Sequence, residues 1–213
     1  MIAPETLERT LDAVEKAIHV HPYVSGLRDP FRVLVSTVVS ARTKDETTKE
    51  VSERLLSRVR NANDLAGIPL SELERLLYPA GFYRTKARSL KRLAEVLLQQ
   101  YGGRVPDTLG ELVSLPGVGR KTANLVLIVA FGKPGVCVDT HVHRICNRWG
   151  LVRTKKPNET EVALRAAVPR RLWHRINALL VPFGREVCRP TSPFCSSCPL
   201  EEQCPKVGVK KHR

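Results

Sequence analysis

The sequence predicts an all-α protein, and three observations carry that prediction. Its apolar content, 42% of 213 residues, rests on Leu, Val and Ala with only 5% aromatic residues, a balance that favours helix over sheet. Apolar residues recur at three- and four-residue intervals through most of the chain, the period of an amphipathic helix. No segment reads convincingly as a strand, and none has a partner strand in sight.

Residues 6–19 set Leu7, Leu11, Val14 and Ile18 on one helical face. Asp29-Pro30 then caps FRVLVSTVVSA. That run is rich in β-branched residues and would also suit a strand. With helical period on both sides it reads as a buried helix, apolar nearly all round. Asp45 opens DETTKEVSERLLSRV, and Ser71 opens SELERLLY, which Pro79 and Gly81 end. Residues 85–101 form a long helix with Leu90, Leu93, Val96 and Leu97 on one face. Asp107 caps TLGELVSL, and Pro116 stops it. After a glycine-bearing connection a helix runs to Phe131, and Gly132, Pro134 and Gly135 break the chain. Asp139 is placed to cap THVHRICNRWG, and residues 159–167 and 170–183 carry two further helical patterns. From Gly184 the chain is rich in Cys, Pro and Ser and reads as irregular.

The formal net charge is +14 and the isoelectric point about 9.9. Residues 133–213 hold 16 Lys and Arg against 6 Asp and Glu, so +10 of that charge lies there. Such an imbalance costs self-repulsion and points to a polyanionic partner, nucleic acid before an anionic membrane surface. A solvated basic surface is the plainer alternative. The longest apolar run, LVLIVAF at 125–131, is far below the roughly 20 residues a membrane span needs. The N-terminus carries acids early and lacks the apolar core of a signal peptide, so an intracellular protein is expected. In that compartment six cysteines read as free thiols or metal ligands rather than disulfides.

Residues 114–124 read SLPGVGRKTAN. Leu109, Leu112 and Leu115 belong to the helix before, and Ala123, Val126 and Leu127 to the helix after. Between them Gly117 and Gly119 permit positive φ and let backbone N–H groups approach a ligand closely. The start of a helix favours an anion, so this helix-hairpin-helix can hold a nucleic-acid phosphate without reading bases. A plain helix-to-helix turn is the other reading. Lys121 follows directly. A lysine becomes nucleophilic only when its amine loses its proton, which desolvation, neighbouring cations and the positive end of a helix all favour. Arg120 and the helix start supply the last two, and a bound substrate would supply the first. The plainer reading is a surface lysine.

The tail reads CRPTSPFCSSCPLEEQC, spaced C-x6-C-x2-C-x5-C over Cys188, Cys195, Cys198 and Cys204. Four thiolates in a short irregular stretch suit an iron–sulfur cube or a tetrahedral zinc ion. Cys137 and Cys146 lack such spacing and read as small buried hydrophobes.

Taken together these motifs resemble the endonuclease III family of DNA glycosylases, in the helix-hairpin-helix, Gly/Pro-Asp superfamily. LPGVGRKTAN (115–124) looks like the family hairpin, VDTHVHRICNR (138–148) like its aspartate segment, and the spacing at 188–204 is that of its [4Fe-4S] cluster. The resemblance runs over nearly the whole chain. It implies a two-lobed fold: a six-helix barrel over 23–133, and a helical lobe joining 1–22 to 134–213 and carrying the cluster. Double-stranded DNA with a damaged base or abasic site would lie across the groove between the lobes. Lys121 falls on the Schiff-base lysine, Asp139 on the essential aspartate, and Gly117, Val118, Gly119 and Arg120 on the phosphate-holding hairpin. Cys188, Cys195, Cys198 and Cys204 fall on the cluster ligands, which favours iron–sulfur over zinc. For Asp139 the plain alternative is helix capping, and the two roles are compatible.

Two wedge loops also have counterparts. In SARTKD, Arg42 stands where family members commonly have a glutamine that fills the gap left by a flipped nucleotide, and Asp45 matches a pocket-lining acid whose alternative is an N-cap. In GFYRTKA (81–87), Phe82 is the inserting side chain or an ordinary core residue. Between Cys188 and Cys195 the only cation is Arg189, so the cluster is expected to be structural more than phosphate-gripping. The activity implied is a bifunctional glycosylase and abasic-site lyase acting on oxidised pyrimidines, as a monomer in the cytoplasm and nucleoid and without a membrane. A monofunctional thymine or uracil mismatch glycosylase, and a non-catalytic DNA-binding module, are the alternatives.

Overall fold

Eleven α-helices and two short 3-10 turns account for the regular structure of residues 2–19 and 29–213, which the computed structural model describes; no strand occurs among them. The chain divides into two units, Ser25–Lys133 and Met1–Val24 with Pro134–Arg213. The expected boundary at 22/23 lies outside the described residues.

The unit of Met1–Val24 and Pro134–Arg213 starts with α1 (Leu7–Ala17), entered by a 3-10 turn over Pro4–Thr6. Leu7, Leu11, Val14 and Ile18 are all buried, as the spacing required. They pack on α11 (Trp173–Glu186), and Arg175 fixes the register by pairing with Asp12 at 2.8 Å and Glu15 at 2.6 Å. Helix α9 (Thr140–Arg148) also packs on α11, and α10 (Pro157–Ala167) packs on α9. Trp149 and Phe183 are fully buried at the centre of this core, beside Ile145, Leu164 and Leu180. Gly184 belongs to α11, so the irregular tail begins three residues later than the composition suggested.

The other unit runs α2 (Pro30–Ser40), α3 (Asp45–Arg58), α4 (Ala62–Gly67), α5 (Leu70–Leu77), α6 (Tyr83–Tyr101), α7 (Leu109–Ser114) and α8 (Arg120–Phe131). The β-branched run of α2 is a helix because it is buried on every side. It packs on α3, α6 and α8, and Asp29 accepts from the amides of Phe31 and Arg32 to start it. Around it Val35, Val51, Leu55, Leu73, Leu90, Leu93 and Val126 form one continuous core. Each such side chain contributes about 1.5–3 kcal/mol on burial.

Two local expectations are corrected, and one helix was not foreseen. Asp45 is the first residue of α3, not its cap; the cap is Lys44. Thr108, not Asp107, caps α7: its hydroxyl accepts from Glu111 N and itself donates to the Glu111 carboxylate at 2.5 Å. Helix α4, unforeseen, spans only six residues, too few for a period to register, and is capped by Asn61 accepting from Asp64 N. Among the described residues no helix is long and apolar enough to cross a membrane.

Candidate active site

The connection between α7 and α8 is built by its sequence. Val118 N–H donates to the Leu115 carbonyl at 3.1 Å, with Pro116 and Gly117 between them and Gly117 at φ 78°. Proline followed by a left-handed glycine is the composition of a type II turn. Gly117 has a second reason to lack a side chain: a Cβ there would meet Ser89 Cβ of α6 at 2.9 Å. Gly119 differs from the expectation. Its φ is −91°, and a Cβ there would meet nothing within 4 Å, so neither backbone nor packing requires glycine. Its lack of a side chain leaves the cap of α8 without an acceptor and its outer face open to a ligand's close approach. The Val118 side chain is buried in the core and its N–H closes the turn, so it shapes the hairpin from within. Lys121 is exposed on the first turn of α8, beside the half-buried Arg120.

Asp139 caps α9. The amides of His141 and Val142 both donate to Oδ1, each at 2.9 Å, so Oδ2 takes no part in the cap. The residue is half-buried. Next to it the His141 imidazole is pushed below its usual range, chiefly by burial and partly by Arg144 and Arg185, against the opposing pull of Asp139.

Arg42 and Phe82 are brought together. Both sit at positive φ, 53° and 57°, and the Arg42 guanidinium lies 5.3 Å from the centre of the Phe82 ring, within cation–π range. Phe82 is 62% exposed, which excludes the core reading. Asp45 is exposed at the start of α3, where its charge suits the helix dipole.

The four tail cysteines line one cavity together with Trp149, Phe183 and other residues. Arg148 of α9 holds one wall: its guanidinium donates to Cys188 Sγ at 3.4 Å and to the Arg189 and Pro190 carbonyls at 2.6 and 2.8 Å. Arg144, one turn earlier, donates to the carbonyls of Gly184 and Cys188. Burial pushes the Cys198 thiol up to about 11 and raises Cys195 and Cys204 as well. Among the described residues no group of three or more His, Cys, Asp or Glu side chains is arranged to hold a metal ion. Cys137 and Cys146 are buried in the core, as expected.

Sequence reasoning missed Lys86. It lies on α6 with only 7% of its surface exposed, and its amine donates to the Val39 carbonyl and to Thr43 Oγ1, each at 2.7 Å. Burial lowers its pKa from 10.5 to about 8. Its register was visible, since 86, 90, 93 and 97 form the apolar stripe of α6, but its charge argued for the surface.

These arrangements have relatives. The family described as "HhH-GPD superfamily base excision DNA repair protein" matches residues 35–170. Endonuclease III of Thermotoga maritima is 51% identical over 176 residues, 83% of this chain and 83% of that protein. The chloroplastic endonuclease III homolog 2 of Arabidopsis thaliana is 45% identical over 83% of this chain, which spans about half, 48%, of that longer protein. A solved structure of a trapped endonuclease III–DNA covalent intermediate superposes with a TM-score of 0.88 at 38% identity, covering 97% of each chain. The chain thus belongs to the HhH-GPD superfamily of base excision DNA repair proteins and, within it, to the endonuclease III family.

Proposed function

We propose that this protein is a bifunctional DNA glycosylase and abasic-site lyase that removes oxidised pyrimidines from duplex DNA, with Lys121 as nucleophile and Asp139 as its carboxylate partner. The observation that supports this most is the exposure of Lys121 on the first turn of α8, directly behind a cap that offers no side-chain acceptor. The covalent DNA intermediate trapped on a relative adds to it.

A base inside a duplex is out of reach, so the damaged nucleotide swings out of the stack first, at less cost where its pairing is already weak. The hairpin backbone at Gly117 and Gly119, with Arg120, holds the phosphate chain beside it, and Asp45 lines the pocket for the base. The Lys121 amine then bonds to the sugar C1′, the C1′–N glycosidic bond breaks, and the base leaves with the electron pair and takes up a proton. Loss of a proton from nitrogen and opening of the ring give an imine. The imine makes the C2′ proton acidic; its loss breaks the C3′–O bond and nicks the strand, and water then releases the lysine. The Asp139 carboxylate, as its partner, stabilises the positive charge that develops at C1′ or takes the lysine proton.

Cys188, Cys195, Cys198 and Cys204 would hold a [4Fe-4S] cluster. The four cysteines line one cavity, and four thiolates are the donor set such a cluster takes; family membership favours it over a zinc ion. When bound, the cluster would tie the four cysteine positions of the tail to one another and supply a one-electron centre; no excision step runs through it. In this reading residues 23–133 are the barrel lobe, residues 1–22 and 134–213 are the cluster lobe, and the enzyme works as a monomer inside the cell.

The test is borohydride trapping on a thymine-glycol or abasic duplex. A covalent adduct that Lys121→Gln abolishes is expected. Base release without an adduct assigns the mismatch-type, single-function mechanism, and binding alone assigns a non-catalytic module.

A further inference from the structure

Arg42 and Phe82 are non-glycine residues in left-handed backbone, a conformation that persists only where the surroundings hold it. What holds them is one amine and one hydroxyl. Lys86 Nζ donates to the Val39 carbonyl in the last turns of α2 and to Thr43 Oγ1 in the following loop. The same Thr43 oxygen accepts from Gly81 N at 3.2 Å and donates to the Ala41 carbonyl at 3.3 Å. The loop on either side of Arg42 is therefore tied to the residue preceding Phe82. The fit leaves no slack, because a Cβ on Gly81 would run into the Arg42 carbonyl. On top of this anchor the Arg42 guanidinium covers one side of the exposed Phe82 ring.

We propose that Lys86 is a positioning residue for DNA entry: its buried amine fixes the 41–44 and 80–82 loops to each other, so that Arg42 and Phe82 enter the base stack as one preassembled pair. The inference rests on the base-excision reading above and adds a residue that never touches DNA. A stacked cation and ring present a planar, polar-edged slab to the bases. That slab suits the gap left by a flipped nucleotide better than two side chains moving independently, because their ordering cost is met before binding. The partners of Lys86 are neutral, and burial lowers its pKa to about 8. An aliphatic side chain would thus sit there at less cost, but would not hold the loops together.

The experiment uses a duplex with a tetrahydrofuran abasic analogue opposite 2-aminopurine, whose fluorescence rises when it is unstacked. Parent, Lys86→Met, Lys86→Arg, Phe82→Ala and the Lys86→Met/Phe82→Ala double variant are compared as folded full chains. Lys86→Met is expected to bind undamaged duplex within about twofold of the parent, since its phosphate contacts remain. It is expected to lose at least about fivefold of the fluorescence rise, the scale of a lost stacking contact. Lys86→Arg should restore part of the rise. The double variant should lose less than the two single losses combined, because Lys86 acts through the pair to which Phe82 belongs. A parental fluorescence rise in Lys86→Met, or losses that simply add in the double variant, overturns the proposal. Should Lys86→Met fail to fold, Thr43→Val removes the shared acceptor and must show the same loss. A parent that gives no rise at all overturns the base-flipping reading itself, which distinguishes the two failures.

Discussion

Asp139 gives both of its cap bonds to one oxygen, and that allows its two roles to be separated. Asparagine keeps an acceptor at the same place and caps about as well as aspartate. Asp139→Asn is therefore expected to cost under about 1 kcal/mol of stability while slowing single-turnover base release by at least about 100-fold. Thermal melting and quenched-flow assays on one preparation check this, and stability falling in step with the rate would make the cap the larger role. Lys86 sets a second residue-scale test. The unfolded chain keeps its proton on this lysine up to 10.5, whereas the native state gives it up near 8. Between those values the unfolded chain holds the extra proton, so the native state gains stability as pH rises. The stability of the parent relative to Lys86→Met should climb from pH 8 to 10 and stay level below about 7.5. A difference that falls or stays flat over that interval contradicts the burial argument.

The caps and the hairpin show which elements could be read and which could not. Asp29 was legible because a helix-starting proline follows it. Asp139 is followed by Thr140, the same pair of residues as at 107–108, yet here the aspartate is the cap. At 107–108 an aspartate and a threonine stand side by side, and only the glutamate three residues after Thr108 decides between them. The hairpin was legible as a motif, but its two glycines were not distinguishable: φ and the Ser89 contact make one structural and leave the other open. Gly117→Ala should cost about 2–4 kcal/mol, from left-handed strain and the clash with α6. Gly119→Ala should cost less than about 1 kcal/mol yet weaken binding to abasic duplex, because its methyl group lies where a phosphate would approach. Denaturant titrations alongside binding isotherms test the pair. Equal stability losses, or unimpaired binding by Gly119→Ala, would contradict this division of labour.

At the scale of the whole chain, the charge and the four-cysteine spacing could be read without a structure, because both are properties of composition and order. Tertiary choices could not. Arg148 reaching Cys188 Sγ, and Lys86 reaching across to Thr43, depend on which helix faces which loop, and a single sequence does not state that. The cluster reading makes a whole-molecule prediction. The purified protein should absorb in the visible, with about four iron and four sulfide per chain, and Cys198→Ser should lose both the colour and a large part of its thermal stability. A colourless protein holding one zinc contradicts it. The account as a whole depends on which nitrogen bonds to the sugar, and one measurement reads that directly. The borohydride-trapped complex is digested with nuclease and protease, and the deoxyribose remnant is located by mass spectrometry. The account predicts the added mass on the side chain of Lys121; the same mass on any other amine, or base release with no remnant anywhere, contradicts it.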